Sequence, residues 1–202
     1  MRTKLLLFAL TLLSSPLFSQ IQDQTLFNRS QLRGGFGGPI FSYSQSKGRT
    51  GYGAGGGGGL VFDRLFVGVF GMGEVFDTPK IGQDQLAIGY GGLWMGYVVP
   101  SHRLLHLYAS AKIGGGGIGI TDFEDRWDFD DDWHDAVLVA VPEAGLELNL
   151  ARWWRVSGSV GYRFVHGFEG NDLVGKTDLN APVFALTMRF GWFAGGRKTV
   201  QN

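Results

Sequence analysis

Three stretches near the C-terminal end of the chain alternate apolar and polar residues with a period of two, and this limits the fold more than any other feature. In the first, Leu138, Ala140, Ala144, Leu146, Leu148 and Leu150 share one side, and Glu143, Glu147 and Asn149 the other. In the second, Trp154, Val156, Val160, Tyr162 and Phe164 oppose Arg155, Ser157, Ser159 and Arg163. In the third, Phe184, Leu186, Met188, Phe190 and Trp192 oppose Ala185, Thr187, Arg189 and Gly191. Such a period belongs to strands with one apolar face. The fold class is all-β.

Turn residues divide the chain into eight strand-length segments: Gly35–Gln45, Tyr52–Phe62, Leu65–Phe76, Gln85–Val99, Leu104–Ile120, Ala136–Leu150, Trp154–His166 and Pro182–Phe193. Most reach the ~9–11 residues that a tilted membrane-crossing strand needs. The connections alternate in length. Asp63-Arg64, Pro100–Arg103 and Ala151–Trp153 are tight, whereas Asp77–Asp84, Thr121–Asp135 and Gly167–Ala181 are long and polar. Only Ser46–Gly51 is short where a long loop is due. Loops sorted by length to opposite ends are the layout of membrane barrels. A soluble sandwich has no reason to adopt it.

The composition of the polar face decides which side points outward. Of the six lysines only Lys112 lies within a strand segment, and the polar face is otherwise Gly, Ser, Thr and Ala with a few charges of both signs. A water-facing surface would carry lysine and glutamate freely. The expectation is an eight-stranded antiparallel up-and-down transmembrane β-barrel over residues 34–193. Its apolar face, including Phe184, Leu186, Met188, Phe190 and Trp192, meets lipid. Lys112, Glu143, Glu147, Arg155, Arg163 and Arg189 form an interior charge network, because charges at membrane depth must pair or meet water. Glycine, at 34 of 202 residues, suits a crowded and curved sheet. In the first four segments, the Gly55–Gly59 run and Leu93-Trp94-Met95 leave the alternation unresolved. A bulge or an aromatic-filled interior would each explain it, and register in such stretches is weakly specified.

The chain starts with Met1-Arg2-Thr3-Lys4, then an apolar run from Leu5 to Leu13 and a Ser-containing stretch up to Gln20. This is the layout of a secretory signal peptide over residues 1–19, followed by a periplasmic segment, 20–33. Nine apolar residues are too few for a membrane-spanning helix. Without Arg2 and Lys4 the basic residues fall from 18 to 16 against 18 acidic ones, a balance of −2. No basic face suggests nucleic acid as a partner. The absence of cysteine excludes disulfides, thiolate metal sites and a lipid-modified cysteine.

Several stretches carry a resemblance: Gly34-Gly35-Phe36-Gly37-Gly38-Pro39, the glycine run before Leu60-Val61-Phe62, Phe70-Gly71-Met72-Gly73 and Pro142–Leu150. Trp153-Trp154-Arg155, Tyr162-Arg163 and Arg189–Phe193 add to it. Together they resemble a family of small outer-membrane β-barrel proteins of Gram-negative bacteria, and the layout is distantly similar to the membrane domain of the outer-membrane protein A class. The resemblance implies a location in the outer membrane, among its lipid and lipopolysaccharide, and insertion by the barrel assembly machinery. That class ends at a terminal aromatic, whereas here a tail, 194–202, follows Phe193.

The loop Thr121–Asp135 is the most unusual stretch outside the strands. Asp125, Asp128, Asp130, Asp131 and Asp132 are interleaved with Trp127 and Trp133. Dense carboxylates can hold a divalent cation, and acids mixed with aromatics suit a partner surface. A solvated acidic loop is the simpler reading. Trp133 and Val139 stand where an EF-hand needs glycine and glutamate, so that motif fails. His166 has no serine close after it, which disfavours a lipid-modifying hydrolase. Two GxGxxG strings, Gly53–Gly58 and Gly114–Gly119, open no helix and are strand glycine. The reading is a non-enzymatic barrel with a closed polar interior, no cofactor, and surface loops serving envelope integrity or contact. The alternatives are a narrow channel, a lipid-modifying hydrolase, and a soluble periplasmic binder.

Overall fold

The computed structural model describes residues 32–46, 49–62, 64–77, 85–99, 104–121, 133–167 and 179–193. They form eight strands: β1 (Leu32–Ser46), β2 (Arg49–Phe62), β3 (Leu65–Phe76), β4 (Gln85–Val98), β5 (Leu105–Thr121), β6 (Trp133–Asn149), β7 (Trp154–His166) and β8 (Ala181–Phe193). Each pairs antiparallel with its neighbours in sequence, and β1 pairs with β8, so the sheet closes into an up-and-down barrel. The expected fold class is the one observed. The expected signal peptide, residues 1–19, lies outside the described residues, as does the tail, 194–202.

Two expected connections are shorter than the sequence suggests. β1 and β2 pair to their ends, Ser46 opposite Arg49, so only residues 47–48 join them. The acidic loop is also trimmed, because Thr121 belongs to β5 and Trp133, His134 and Asp135 to β6. Polar residues at a strand end read as loop in the sequence, yet ladder bonds hold them in the sheet. We call the end bearing the connections β2–β3, β4–β5 and β6–β7 the turn end, and the other the loop end.

Alternation holds on every strand. Outward lie Phe41, Val69, Leu93, Leu107, Leu138, Val160, Leu186 and Trp192, all exposed on the outer wall. Among the described residues, outward strand positions between the two rims carry no Asp, Glu, Lys or Arg. Aromatic side chains gather near both rims: Tyr43 with Tyr52 and Tyr162 with Phe164 toward the loop end, and stacked Trp153, Trp154 and Phe190 at the turn end. Tyr162 and Trp154 are eight residues apart on β7. At ~3.3 Å per residue and a tilt near 40°, that spans about 20 Å, close to the ~25 Å apolar band of membrane barrels.

The unresolved first half is settled by an aromatic-filled interior. Phe36, Phe66, Phe70, Phe76, Tyr90 and Trp94 all point inward and are buried. Trp94 is inward and its neighbours Leu93 and Met95 outward, so the apolar triplet obeys the period after all. Room for these rings comes from β2, whose inward positions from Gly51 to Gly59 are all glycine. A Cβ at Gly53 would lie 2.5 Å from Glu74 Cγ, and one at Gly55 would lie 2.7 Å from Met72 Sδ. Bulk on β3 and β4 is matched by its absence on β2. Register irregularities occur near Leu32 on β1 and near Gly119 on β5, away from these residues.

Candidate functional site

The lumen holds three charged nodes along its length. At the turn end, Glu147 on β6 is fully buried. It meets His106 Nε2 at 2.9 Å, Arg155 Nη1 at 2.9 Å and Arg189 Nη1 at 2.7 Å. Four strands thus converge on one carboxylate. The Arg189 guanidinium also lies 4.9 Å from the Phe36, Trp94 and Tyr108 rings and 4.8 Å from Phe66. Its Nε and Nη2 make no hydrogen bond. The surrounding π systems take the place of polar partners, an attraction that strengthens when water is excluded. Arg155 stacks over Phe193 at 3.7 Å, and Phe193, the last residue of β8, packs against the buried rings at the turn end.

In the middle, Lys112 on β5 donates to both oxygens of Glu143 at 2.8 Å. Glu143 also accepts from Ser110 at 2.6 Å and Ser159 at 3.3 Å. Lys112 lies 5.2 Å from the Trp94 ring, and Trp94 Nε1 donates to Ser110 at 3.3 Å. Burial of this pair is compensated because nearly every lone pair and N–H has a partner, the condition under which buried ions are tolerated.

Toward the loop end, Glu74 on β3 accepts from the Tyr90 hydroxyl at 2.6 Å and from Arg163 Nη1. Arg163 is fully buried. Its Nε donates to the Leu179 carbonyl at 2.9 Å, and Leu179 is itself buried just before β8. Nearby, Asn180 accepts from Val165 N at 2.7 Å and from Ser46 Oγ at 2.9 Å. The chain entering β8 is thereby tied to both β1 and β7.

All six residues expected in the interior network point inward, but they fall into three separate nodes rather than one. Sequence reasoning missed Glu74 and Tyr90. A signal for Glu74 existed: it is the one carboxylate in the Leu65–Phe76 segment, in phase with Phe66, Phe70, Met72 and Phe76. Phe184, Leu186, Phe190 and Trp192 are exposed on the outer wall, and Met188 is half-buried there. Asp125, Trp127, Asp128, Asp130, Asp131 and Asp132 lie outside the described residues, and Trp133 opens β6 opposite Gly119. Among the described residues no cluster of His, Asp and Glu could hold a metal. His106 spends its Nε2 on Glu147, and no serine hydroxyl is bonded to it. The lumen offers ion pairing and packing: its serine hydroxyls at Ser110 and Ser159 donate to Glu143, whose carboxylate is already paired with Lys112.

A closed eight-stranded barrel with an apolar wall, aromatic rims and a lumen of paired charges and rings has the fold of the small outer-membrane β-barrels. No protein-family model matches the sequence, and no curated protein matches it significantly. Among solved structures it is similar to Neisserial surface protein A (NspA), with a TM-score of 0.58 and 10% identity over 78% of this chain and 95% of that one. It is also similar to Ail, the attachment invasion locus protein of Yersinia pestis, solved alone and with the heparin analogue sucrose octasulfate. There the TM-score is 0.41 and the identity 14%, over 80% of this chain and 99% of that one. At these identities the likeness to NspA is one of fold, and the likeness to Ail carries no argument.

Proposed function

We propose that this protein is a non-enzymatic outer-membrane barrel whose packed interior makes it a rigid anchor for the loops at its loop end. The observation that carries this reading is the filling of the lumen along its length. Trp94 and Phe66, the charged nodes apart from half-buried Arg155, and Ile40, Ile88, Val139 and Leu179 are all buried inside it. An eight-stranded barrel is only wide enough for side chains to fill, and here they do. The apolar wall supports a place in lipid, beside lipopolysaccharide, after insertion by the barrel assembly machinery. With the N-terminus in the periplasm, odd strands rise and even strands descend, so the loop between β5 and β6 emerges outside the cell. Its acids and aromatics then serve envelope integrity or contact, with a divalent cation as one ligand they suit.

Two measurements test this. Refolded protein in planar bilayers is expected to give no stable single-channel openings, and reproducible openings would put a channel in its place. An epitope inserted between Asp130 and Asp131 is expected to be cleaved by protease on intact cells. A tag protected until the outer membrane is broken would overturn the display.

A further inference from the structure

We propose that Arg189 is the closure latch of the barrel, holding the first strand to the last at a point where their backbone ladder is interrupted. Three independent observations converge on it. The first is topological. The other seven strand pairs are hairpins between consecutive segments, whereas β1–β8 joins Gly34 to Phe193 across almost the whole chain. Loop-closure entropy is therefore greatest at this seam, and non-local pairing forms late.

The second observation is a gap in the seam. Its register runs to Gly37 opposite Phe190 and resumes at Ile40 opposite Thr187. Pro39 has no N–H to donate, and on its other side it still pairs with Gly56. The interruption thus falls on the β8 side, facing Met188 and Arg189. The two backbones nevertheless approach closely here, since a Cβ at Gly38 would lie 1.9 Å from the Met188 carbonyl oxygen.

The third observation is what the Arg189 side chain does at that point. It reaches into the lumen and touches five other strands: Phe36 on β1, Phe66 on β3, Trp94 on β4, Tyr108 on β5 and Glu147 on β6. Phe36, Phe66 and Trp94 also contact one another edge to face at 5.3–5.4 Å. The cage is complete only when β1 has brought Phe36 against it. A guanidinium suits this place because it gives one edge to a carboxylate and stacks on rings, whereas an ammonium is a compact, strongly hydrated charge. Closure of the seam and burial of Arg189 are therefore one event.

The absence of native cysteine permits a direct test by cysteine pairs. Phe41→Cys with Leu186→Cys reports the β1–β8 seam, where those residues are partners. Leu60→Cys with Val67→Cys reports a hairpin, β2–β3. Disulfide formation is followed during refolding into detergent micelles under a mild oxidant. Arg189→Met is expected to slow the seam cross-link by about tenfold or more relative to the hairpin cross-link, the scale of a lost charge-assisted hydrogen bond. Arg189→Lys should fall between Met and the parent. Phe36→Leu keeps the charge and Glu147 but removes the β1 ring, and it too should delay the seam selectively, which decides the matter if Arg189→Met does not fold. Equal slowing of both cross-links would reduce Arg189 to general stability, and unchanged seam kinetics in Phe36→Leu would likewise overturn the latch.

Discussion

With Arg155, Arg189 and His106 all within 2.9 Å, Glu147 faces more basic groups than it can neutralise, and each depends on it. Removing a buried partner strands the charges it served, at a cost of roughly 3–5 kcal/mol. Glu147→Ala should accordingly lower the urea midpoint of the micelle-refolded barrel, followed by tryptophan fluorescence, more than Glu147→Gln, which keeps an acceptor. Lys112 and Glu143 give a coupled case. Lys112→Met should be strongly destabilising alone, and Lys112→Met with Glu143→Gln should cost less than the sum of the two. A sum that is simply additive would mean the pair is not coupled in the folded protein. The inward charges Lys112, Glu143, Glu147, Arg155, Arg163 and Arg189 were legible in the sequence because each sits in phase with a polar face. Their partners were not. Pairing depends on how strands stagger around the barrel, and no local spacing encodes that Arg163 on β7 meets Glu74 on β3.

The strands differ in how far local pattern specifies them. Leu65–Phe76 and Trp154–His166 have the same bounds in sequence and structure, because a tight turn fixes where each begins and a polar stretch marks where each ends. β2 is the opposite case. Its glycines carry no face of their own, and the rings of β3 and β4 define which side is inward. The same residue type should then respond differently on the two sides of the wall. Gly55→Ala would place a Cβ 2.1 Å from the Gly71 carbonyl oxygen and should cost about 1–3 kcal/mol as overpacking. Gly71→Ala, outward with nothing within 4 Å, should stay within about 0.5 kcal/mol of the parent. The urea midpoint of each single variant checks this, and a Gly55→Ala barrel as stable as the parent would contradict the inward assignment of β2.

Across the whole molecule, the sorting of loops and the scarcity of strand lysine made a membrane barrel legible in the sequence, while the aromatic filling of half its interior stood there only as one of two explanations for the broken alternation. Apolar alternation alone cannot distinguish a ring that faces lipid from one that faces the lumen, as Trp94 and Trp192 show with 1% and 66% exposure. If the wall meets lipid, a charge there is costly according to depth. Leu186→Arg, between the rims, should lose about 2–4 kcal/mol, and Gln45→Arg at the loop end about 0–1. The folded fraction, read from gel migration before and after boiling, should fall in the first variant and hold in the second.

The inside-out arrangement itself is tested most directly by where the outer wall lies. Single cysteines at Phe184, Leu186 and Phe190, carrying nitroxide labels in protein refolded into lipid bilayers, can be probed with molecular oxygen and a water-soluble nickel complex. All three are predicted to collide readily with oxygen and poorly with nickel, and the contrast should be strongest at Leu186. Free collision with nickel at these positions would place the apolar wall in water and contradict the account.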